Sequence, residues 1–202
     1  MHSARRPLLP LLHRLRAHWR KLGGAVLATL LFSPGSQAAG IDPAAEFFAT
    51  LYLNTCMRYV GDAQTLRNQL LQQKLPALSK DEAAFFLENQ KGEAWSVPSS
   101  VGNFVLAIRR DGICAVFAER ANTATTEALF SSLMVKTPNG LQALKVRDTA
   151  RQGNLGTVRT MEYRWFAAGN NKALQFILTT LPAGDAKVQA MATSSTVNSG
   201  VR

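Results

Sequence analysis

The feature that most restricts the fold of this chain is a change in the spacing of its apolar residues near Gly92. Before Gly92, apolar residues such as Phe48, Leu51 and Tyr52 recur at spacings of three or four residues, which is typical of helices with one buried face. After Gly92, outside the segment that follows Asn122, the spacing changes towards alternation with a period of two, which is typical of strands. The sequence therefore predicts an α+β domain with an antiparallel sheet of five to six strands and one disulfide. N-terminal helices and one inserted helix are expected to pack mainly on one face.

Residues whose side chains can cap a helix recur through the chain. They are Asp42, Asp62, Ser79 and Asn122. They predict four helices, the first of which should span residues 43–59. The fourth follows Asn122 and is the inserted one.

Two tight-turn sequences predict hairpins and fix their registers. Asp111-Gly112 suits a two-residue turn that would pair Arg109 with Cys114. Gly169-Asn170 would pair Trp165 with Leu174. The second register places Met161, Tyr163, Trp165 and Phe176 on one face. We interpret this row as core packing, the alternative being an exposed stacking platform.

The two ends of the chain differ in composition from its middle. Six of the 23 basic residues precede residue 22, and an apolar run over residues 22–33 and small residues follow them. Because this run is shorter than the roughly 20 residues of a spanning helix, we expect a secretory signal peptide over residues 1–38, cleaved after Ala38, and a periplasmic protein. A retained membrane anchor is the alternative. Residues 183–202 are small and polar and are predicted to be a flexible tail, which leaves a single domain over residues 39–182.

Cys56 and Cys114 are the only cysteines. An exported protein meets an oxidising compartment, which favours a disulfide between them. A redox pair would normally have the Cys-x-x-Cys spacing, and two thiolates without histidine do not complete a zinc site.

All three histidines lie before residue 19. The predicted domain therefore lacks the imidazole that Ser-His-Asp triads, histidine bases and most zinc sites require. It also lacks a glycine-rich phosphate loop and a Gly-x-Ser-x-Gly motif. We predict no catalytic residue, no metal and no cofactor. A carboxylate-based cell-wall hydrolase is the alternative, although no spacing singles out a pair of acids.

Several residues are candidates for contact with a partner. Trp95, beside a Pro-Ser-Ser break, is either an exposed anchor or a core residue. Arg109 and Arg110 lie at the predicted hairpin tip. A basic cluster in the C-terminal strands comprises Lys145, Arg147, Arg151, Arg159 and Arg164. It is too sparse for the basic stripe of a nucleic-acid binder and suits an acidic partner, membrane headgroups or simply a solvated face.

The segment 101–118 with its Asp111-Gly112 turn, together with Trp95 and the helix that carries Cys56, resembles a family of small uncharacterised exported proteins of Gram-negative bacteria. The resemblance covers residues 45–135. It implies a location in the cell envelope and supplies no catalytic residue.

These features together predict a periplasmic non-enzymatic binding protein with a protein partner, no nucleic acid and no stable membrane anchor after cleavage. The most concrete version is an immunity or inhibitor protein that neutralises an envelope-acting toxin, because blocking a target requires only a rigid complementary surface. An accessory factor of an envelope assembly or secretion machine is the alternative.

Overall fold

The computed structural model describes residue 40, residues 42–182 and residues 184–199. The predicted signal peptide lies outside the described residues, as do residues 183 and 200–202. The described part contains four α-helices: α1 (Pro43–Tyr52), α2 (Ala63–Gln72), α3 (Lys80–Phe86) and α4 (Thr123–Met134). It also contains seven strands: β1 (Gly92–Val97), β2 (Phe104–Arg109), β3 (Cys114–Ala118), β4 (Gln142–Gly153), β5 (Gly156–Phe166), β6 (Lys172–Thr180) and β7 (Ala190–Asn198).

The strands form one antiparallel sheet in the order β1-β2-β3-β7-β6-β5-β4. Strands β1 to β3 form one meander and β4 to β7 form a second. Helix α4 connects the two meanders, and β7 returns to pair with β3. The α+β class and the antiparallel sheet are confirmed, but the sheet has seven strands, one or two more than predicted.

The additional strand is β7, and the prediction of a flexible tail over these residues is wrong. Ala190–Asn198 lies in the centre of the sheet, where Ala192 pairs with Val116 of β3 and with Leu178 of β6. The strand has no large apolar stripe because its inward-facing residues are small. They are Ala190, Ala192 and Ser194, all buried.

The first helix is predicted over residues 43–59, and the structure has helical backbone over most of that range. Its N-cap is Asp42, whose carboxylate accepts a hydrogen bond from the N–H of Ala45 at 2.8 Å. The regular α-helix ends at Tyr52 and continues as a π-helical turn over Leu53–Met57. Cys56 lies in this turn.

The β5–β6 hairpin has the predicted register. Trp165 pairs with Leu174, Tyr163 with Phe176 and Met161 with Leu178. The aromatic row on this hairpin is buried, which confirms core packing.

The β2–β3 hairpin has a different register from the predicted one. Cys114 pairs with Ile108 instead of Arg109. The loop has three residues because the N–H of Gly112 donates to the carbonyl of Arg109, and Gly112 adopts a φ of 89°. The shift of one residue places Cys114 and Val116 on the same face as Leu106.

The sheet separates two clusters of buried side chains. Helices α1, α2 and α4 pack on what we call the first face, which carries the larger cluster. Helix α3 packs on the second face, over β1 to β3, through Ala83 and Leu87 against Ala107 and Phe117. The prediction that helices lie mainly on one face therefore holds for three of the four.

The predicted disulfide between Cys56 and Cys114 is confirmed. It joins the π-helical turn to β3. Close by, Ser194 of β7 donates from its Oγ to the carbonyl of Cys56 at 2.7 Å, and the hydroxyl of buried Tyr52 donates to the carbonyl of Thr193 at 2.8 Å. The end of the first helix is thus attached to both central strands.

Candidate functional site

The second face of the sheet is covered by a helix over only half of its width. Helix α3 lies over β1 to β3, and the other helices lie on the first face, so within the described residues the second face of β4 to β6 carries no helix. We call this region, with the adjoining part of β7, the open face. Its side chains are those of Arg147, Thr149, Arg151, Thr160, Glu162, Arg164, Gln175, Ile177, Thr179, Thr193 and Ser195.

The open face is polar because hydroxyl and guanidinium groups alternate with the buried residues of the first face. Thr149, Thr160 and Thr179 lie opposite one another on three neighbouring strands. Together with Arg147 and Arg151 they line a shallow depression of about 450 Å³. Such a surface offers hydrogen-bond donors and positive charge to a partner.

Glu162 is the one carboxylate among the described side chains of the open face, and hydrogen-bonding and basic neighbours surround it. Its side chain is only 8 % exposed. Gln175 donates to it at 2.7 Å, Arg164 at 3.1 Å and Arg147 lies 3.4 Å away. The open face therefore carries three arginines, Arg147, Arg151 and Arg164, and one carboxylate that two of them already pair, which leaves this face with a net positive charge.

A second charged network lies on the first face of β4 and β5. Asp148 accepts hydrogen bonds from Arg159 at 2.9 Å and from Lys145 at 2.6 Å. The hydrogen bond from Arg159, followed by that from Lys145, lowers the pKa of the Asp148 carboxyl to about 2. Arg159 also binds Glu127 of α4 at 2.6 Å, and its own pKa is raised chiefly by Asp148. This network fastens α4 to the long β4–β5 hairpin.

The predicted basic cluster is thus divided between two faces. Lys145 and Arg159 belong to the network of Asp148, and Arg147 and Arg164 border Glu162. Arg151 is exposed and, within the described part of the chain, has no ion-pair partner. It is the cluster member with most freedom to contact a partner.

Trp95 does not contact a partner from the surface. Its side chain is 2 % exposed and lies in the first-face core beside Leu106, with which it pairs across β1 and β2. The interpretation as an exposed anchor is therefore wrong, and the core interpretation holds. Alternation places Trp95 inward because its neighbour Ala94 already faces α3.

The two arginines of the hairpin tip differ in their surroundings. Arg109 binds Glu88 at 2.9 Å and Asp111 at 2.5 Å, and it stabilises the turn and the end of α3. Arg110 is exposed and forms no ion pair among the described residues, so it stays a candidate contact. Four strands separate β2, which leads into this tip, from β4, which carries Arg151.

An apolar groove lies between α3 and the strands of the second face. Phe85, 49 % exposed, lies at its rim, and the Nζ of Lys187 is 4.1 Å from the centre of that ring. The groove, of about 380 Å³, is lined chiefly by Phe117, Val158, Val188 and Met191. It adjoins the open face through Val158 and Thr179.

The sequence indicates the open face only in part: three of its arginines belong to the predicted basic cluster, for which a solvated face is one interpretation. The missing information was which strands α3 covers and that β7 contributes Thr193 and Ser195. The one available signal was the alternation of small residues with Thr193, Ser195 and Val197, which is compatible with a strand.

The residues described by the structure include no group of three His, Cys, Asp or Glu side chains arranged to hold a metal ion. None of the described helices has the length and hydropathy needed to cross a membrane. No protein family, curated protein or solved structure matches this chain.

Proposed function

We propose that this protein is an exported non-enzymatic binding protein whose open face engages an acidic surface of a protein partner. The observation that carries the proposal is the open face itself. Arg147 and Arg164 pair with one carboxylate, Arg151 beside them is unpaired among the described residues, threonines border all three, and no described helix covers this part of the sheet. A positively charged surface favours encounter with an acidic partner and disfavours encounter with basic proteins.

The rigidity of the scaffold also supports the proposal. The disulfide and the hydrogen bonds of Tyr52 and Ser194 join the first helix to the central strands. A surface held in one shape loses little conformational entropy when it binds. Rigid complementarity is what an inhibitor needs, so the immunity or inhibitor version, directed at an envelope-acting toxin, is the one we propose.

The surroundings of the acids favour binding over hydrolysis. A glycosidase needs a carboxylic acid with a raised pKa to protonate the leaving group. Arg159 instead lowers the pKa of Asp148, and Glu127 and Glu162 are both ion-paired.

The experiment compares two arginines that are exposed and lack ion pairs among the described residues. The full chain is expressed with its own leader, and the exported protein serves as bait in envelope extracts as wild type, Arg151→Glu and Arg110→Glu. A partner identified by mass spectrometry is then purified, and its Kd is measured by calorimetry. We expect Arg151→Glu to weaken binding about fivefold or more and the wild-type affinity to fall with added salt.

The matched control, Arg110→Glu, should bind within about twofold of the wild type. Equal affinities for all three proteins would overturn the open face as the binding surface. Inhibition of a toxic activity of the partner would support the inhibitor version. A partner without a toxic activity would instead favour the accessory factor of an envelope assembly or secretion machine. Turnover of purified cell wall by the protein itself would overturn the whole proposal.

A further inference from the structure

The two edge strands of the sheet differ in whether another part of the chain pairs with their outer side. At the β1 edge, the chain before α3 already lies alongside the strand: Leu78 donates its N–H to the carbonyl of Ala94, and Ser96 donates to that of Pro76. At the opposite edge, β4 is exposed along all twelve residues. Among the described residues, no backbone outside the sheet forms a hydrogen bond with β4.

The unpaired backbone groups of β4 can be identified from its hairpin. Gly153 pairs with Gly156 across a two-residue turn. The residues that flank such a turn form a hydrogen-bonded pair, and bonded and non-bonded pairs then alternate along the strands. This alternation directs the N–H and C=O groups of Asp148, Ala150 and Gln152 away from β5.

The side chains beside these groups specify a charge pattern. Arg147 and Arg151 lie on the open face four residues apart, with Thr149 between them. Four residues of a strand span about 13 Å. A strand added beside β4 would bring its own residues at the same spacing opposite the two arginines.

A second copy of this chain does not suit the edge. Two β4 strands paired about Thr149 would place Arg147 of each copy opposite Arg151 of the other. Pairing about Arg147 would place it opposite itself. Like charges directly opposite each other destabilise a strand pair. A lipid headgroup can meet the arginines but cannot match the alternating backbone groups.

We propose that the free edge of β4 accepts an extended acidic segment of a protein partner by strand addition, with carboxylates four residues apart opposite Arg147 and Arg151. This inference rests on the proposed function and specifies the chemistry of the partner. Main-chain hydrogen bonds supply affinity in such additions, and alternate side chains supply specificity.

The probe is the capped, fluorescent peptide Thr-Glu-Thr-Val-Thr-Glu-Thr-Val, whose two acids share one face of a strand. Its matched control, Thr-Glu-Thr-Val-Glu-Thr-Thr-Val, has the same composition with the acids on opposite faces. Binding to the exported wild-type protein is measured by fluorescence anisotropy. We expect the first peptide to bind about fivefold or more tightly than the second. We also expect it to slow hydrogen exchange at the amides of Asp148, Ala150 and Gln152.

Two variants at one position separate the backbone from the charges. Ala150→Pro removes an outward N–H and leaves the β4–β5 ladder intact, as proline at an edge strand allows. Ala150→Thr keeps that N–H. We expect the proline variant to weaken binding of the first peptide about fivefold or more and the threonine variant to leave it within about twofold. Circular dichroism and the unfolding midpoint of each variant establish that it is folded. Should the proline variant fail to fold, protection of the three amides in the wild type decides the question.

Each contrary result removes the inference. No binding of either peptide up to about 1 mM, equal binding of both, or unchanged exchange of the β4 amides would overturn it. Binding to phosphatidylglycerol vesicles but not to the peptide would overturn it in favour of a lipid surface. Concentration-dependent dimerisation with protected β4 amides would overturn it in favour of a second copy. If Arg151→Glu weakens binding of the partner identified above but Ala150→Pro does not, the proposed function stands and strand addition is overturned.

Discussion

At the scale of single residues, the charged groups of β4 and β5 divide into those that hold the fold and those that are free to bind. Arg159 contacts Glu127 and Asp148 at once, and so it links α4 to the sheet. Arg151 has no such role among the described residues. Basic residues close together in the sequence therefore differ in function, because neighbouring residues of a strand point to opposite faces.

The replacement Asp148→Asn should make the protein less stable in a way that depends on pH. The pKa of Asp148 is lowered to about 2 from an ordinary 3.8. The stabilisation from its charge is therefore present above pH 4 and is lost as the pH falls towards 2. We expect a loss of about 1 kcal/mol in the free energy of unfolding at pH 7 and almost none at pH 2. Urea unfolding at both pH values measures it.

Asp185→Asn is the control, since Asp185 is exposed and forms no ion pair in the described part of the chain. It should change stability little at either pH. An equal loss for Asp148→Asn at pH 2 and pH 7 would contradict the assigned role of the carboxylate.

At the scale of elements, the sequence predicts best where one register alone separates apolar from polar residues. In β5 and β6, a slip would exchange Trp165 and Arg164 between the faces, so only one register is favourable. In β2 and β3 both faces are apolar, and a slip costs little in burial. There the length of the loop decides the register. The choice between a two-residue and a three-residue loop after Arg109 is not evident from composition.

The three-residue loop depends on Gly112. Its φ of 89° is unfavourable for other L-residues, yet a Cβ at this position would meet no atom within 4 Å. We therefore expect Gly112→Ala to lower the free energy of unfolding by about 1 kcal/mol through the backbone alone. Gly184→Ala is the matched control, since its Cβ would also meet nothing and its φ lies outside the left-handed region. Thermal unfolding that gives equal shifts for both variants would contradict this account.

At the scale of the whole molecule, the sheet consists of two meanders that β7 joins. The first is β1 to β3 and the second is β4 to β7, whose last strand, β7, pairs both with β6 of its own meander and with β3 of the first. The disulfide adds a covalent link over a sequence separation of 58 residues, worth about 4 kcal/mol on the loop-entropy estimate. Composition alone does not predict that a stretch rich in Ala, Ser and Thr has this central role, because these side chains contribute by being small enough to be buried beside the end of the first helix.

Two substitutions in β7 test its place in the core. Ala192 is fully buried between Val116 and Leu178, whereas Thr196 on the same strand is exposed. We expect Ala192→Asp to cost about 4 kcal/mol or more, because it buries an unpaired carboxylate, and Thr196→Asp to cost less than about 1 kcal/mol. Chemical denaturation followed by tryptophan fluorescence measures both. Near-equal small effects would mean that these residues lie outside the core.

The position of β7 has a consequence for the order of assembly. A ribosome makes the chain from its amino end, so the strand that joins the two halves of the sheet is made after the other six strands that the structure describes. Until residues 190–198 emerge, β3 and β6 each present an unpaired border, and the nascent polypeptide cannot complete its central layer. A premature stop codon anywhere before residue 190 should therefore yield a product that is degraded. It should not yield a shortened protein that is still active.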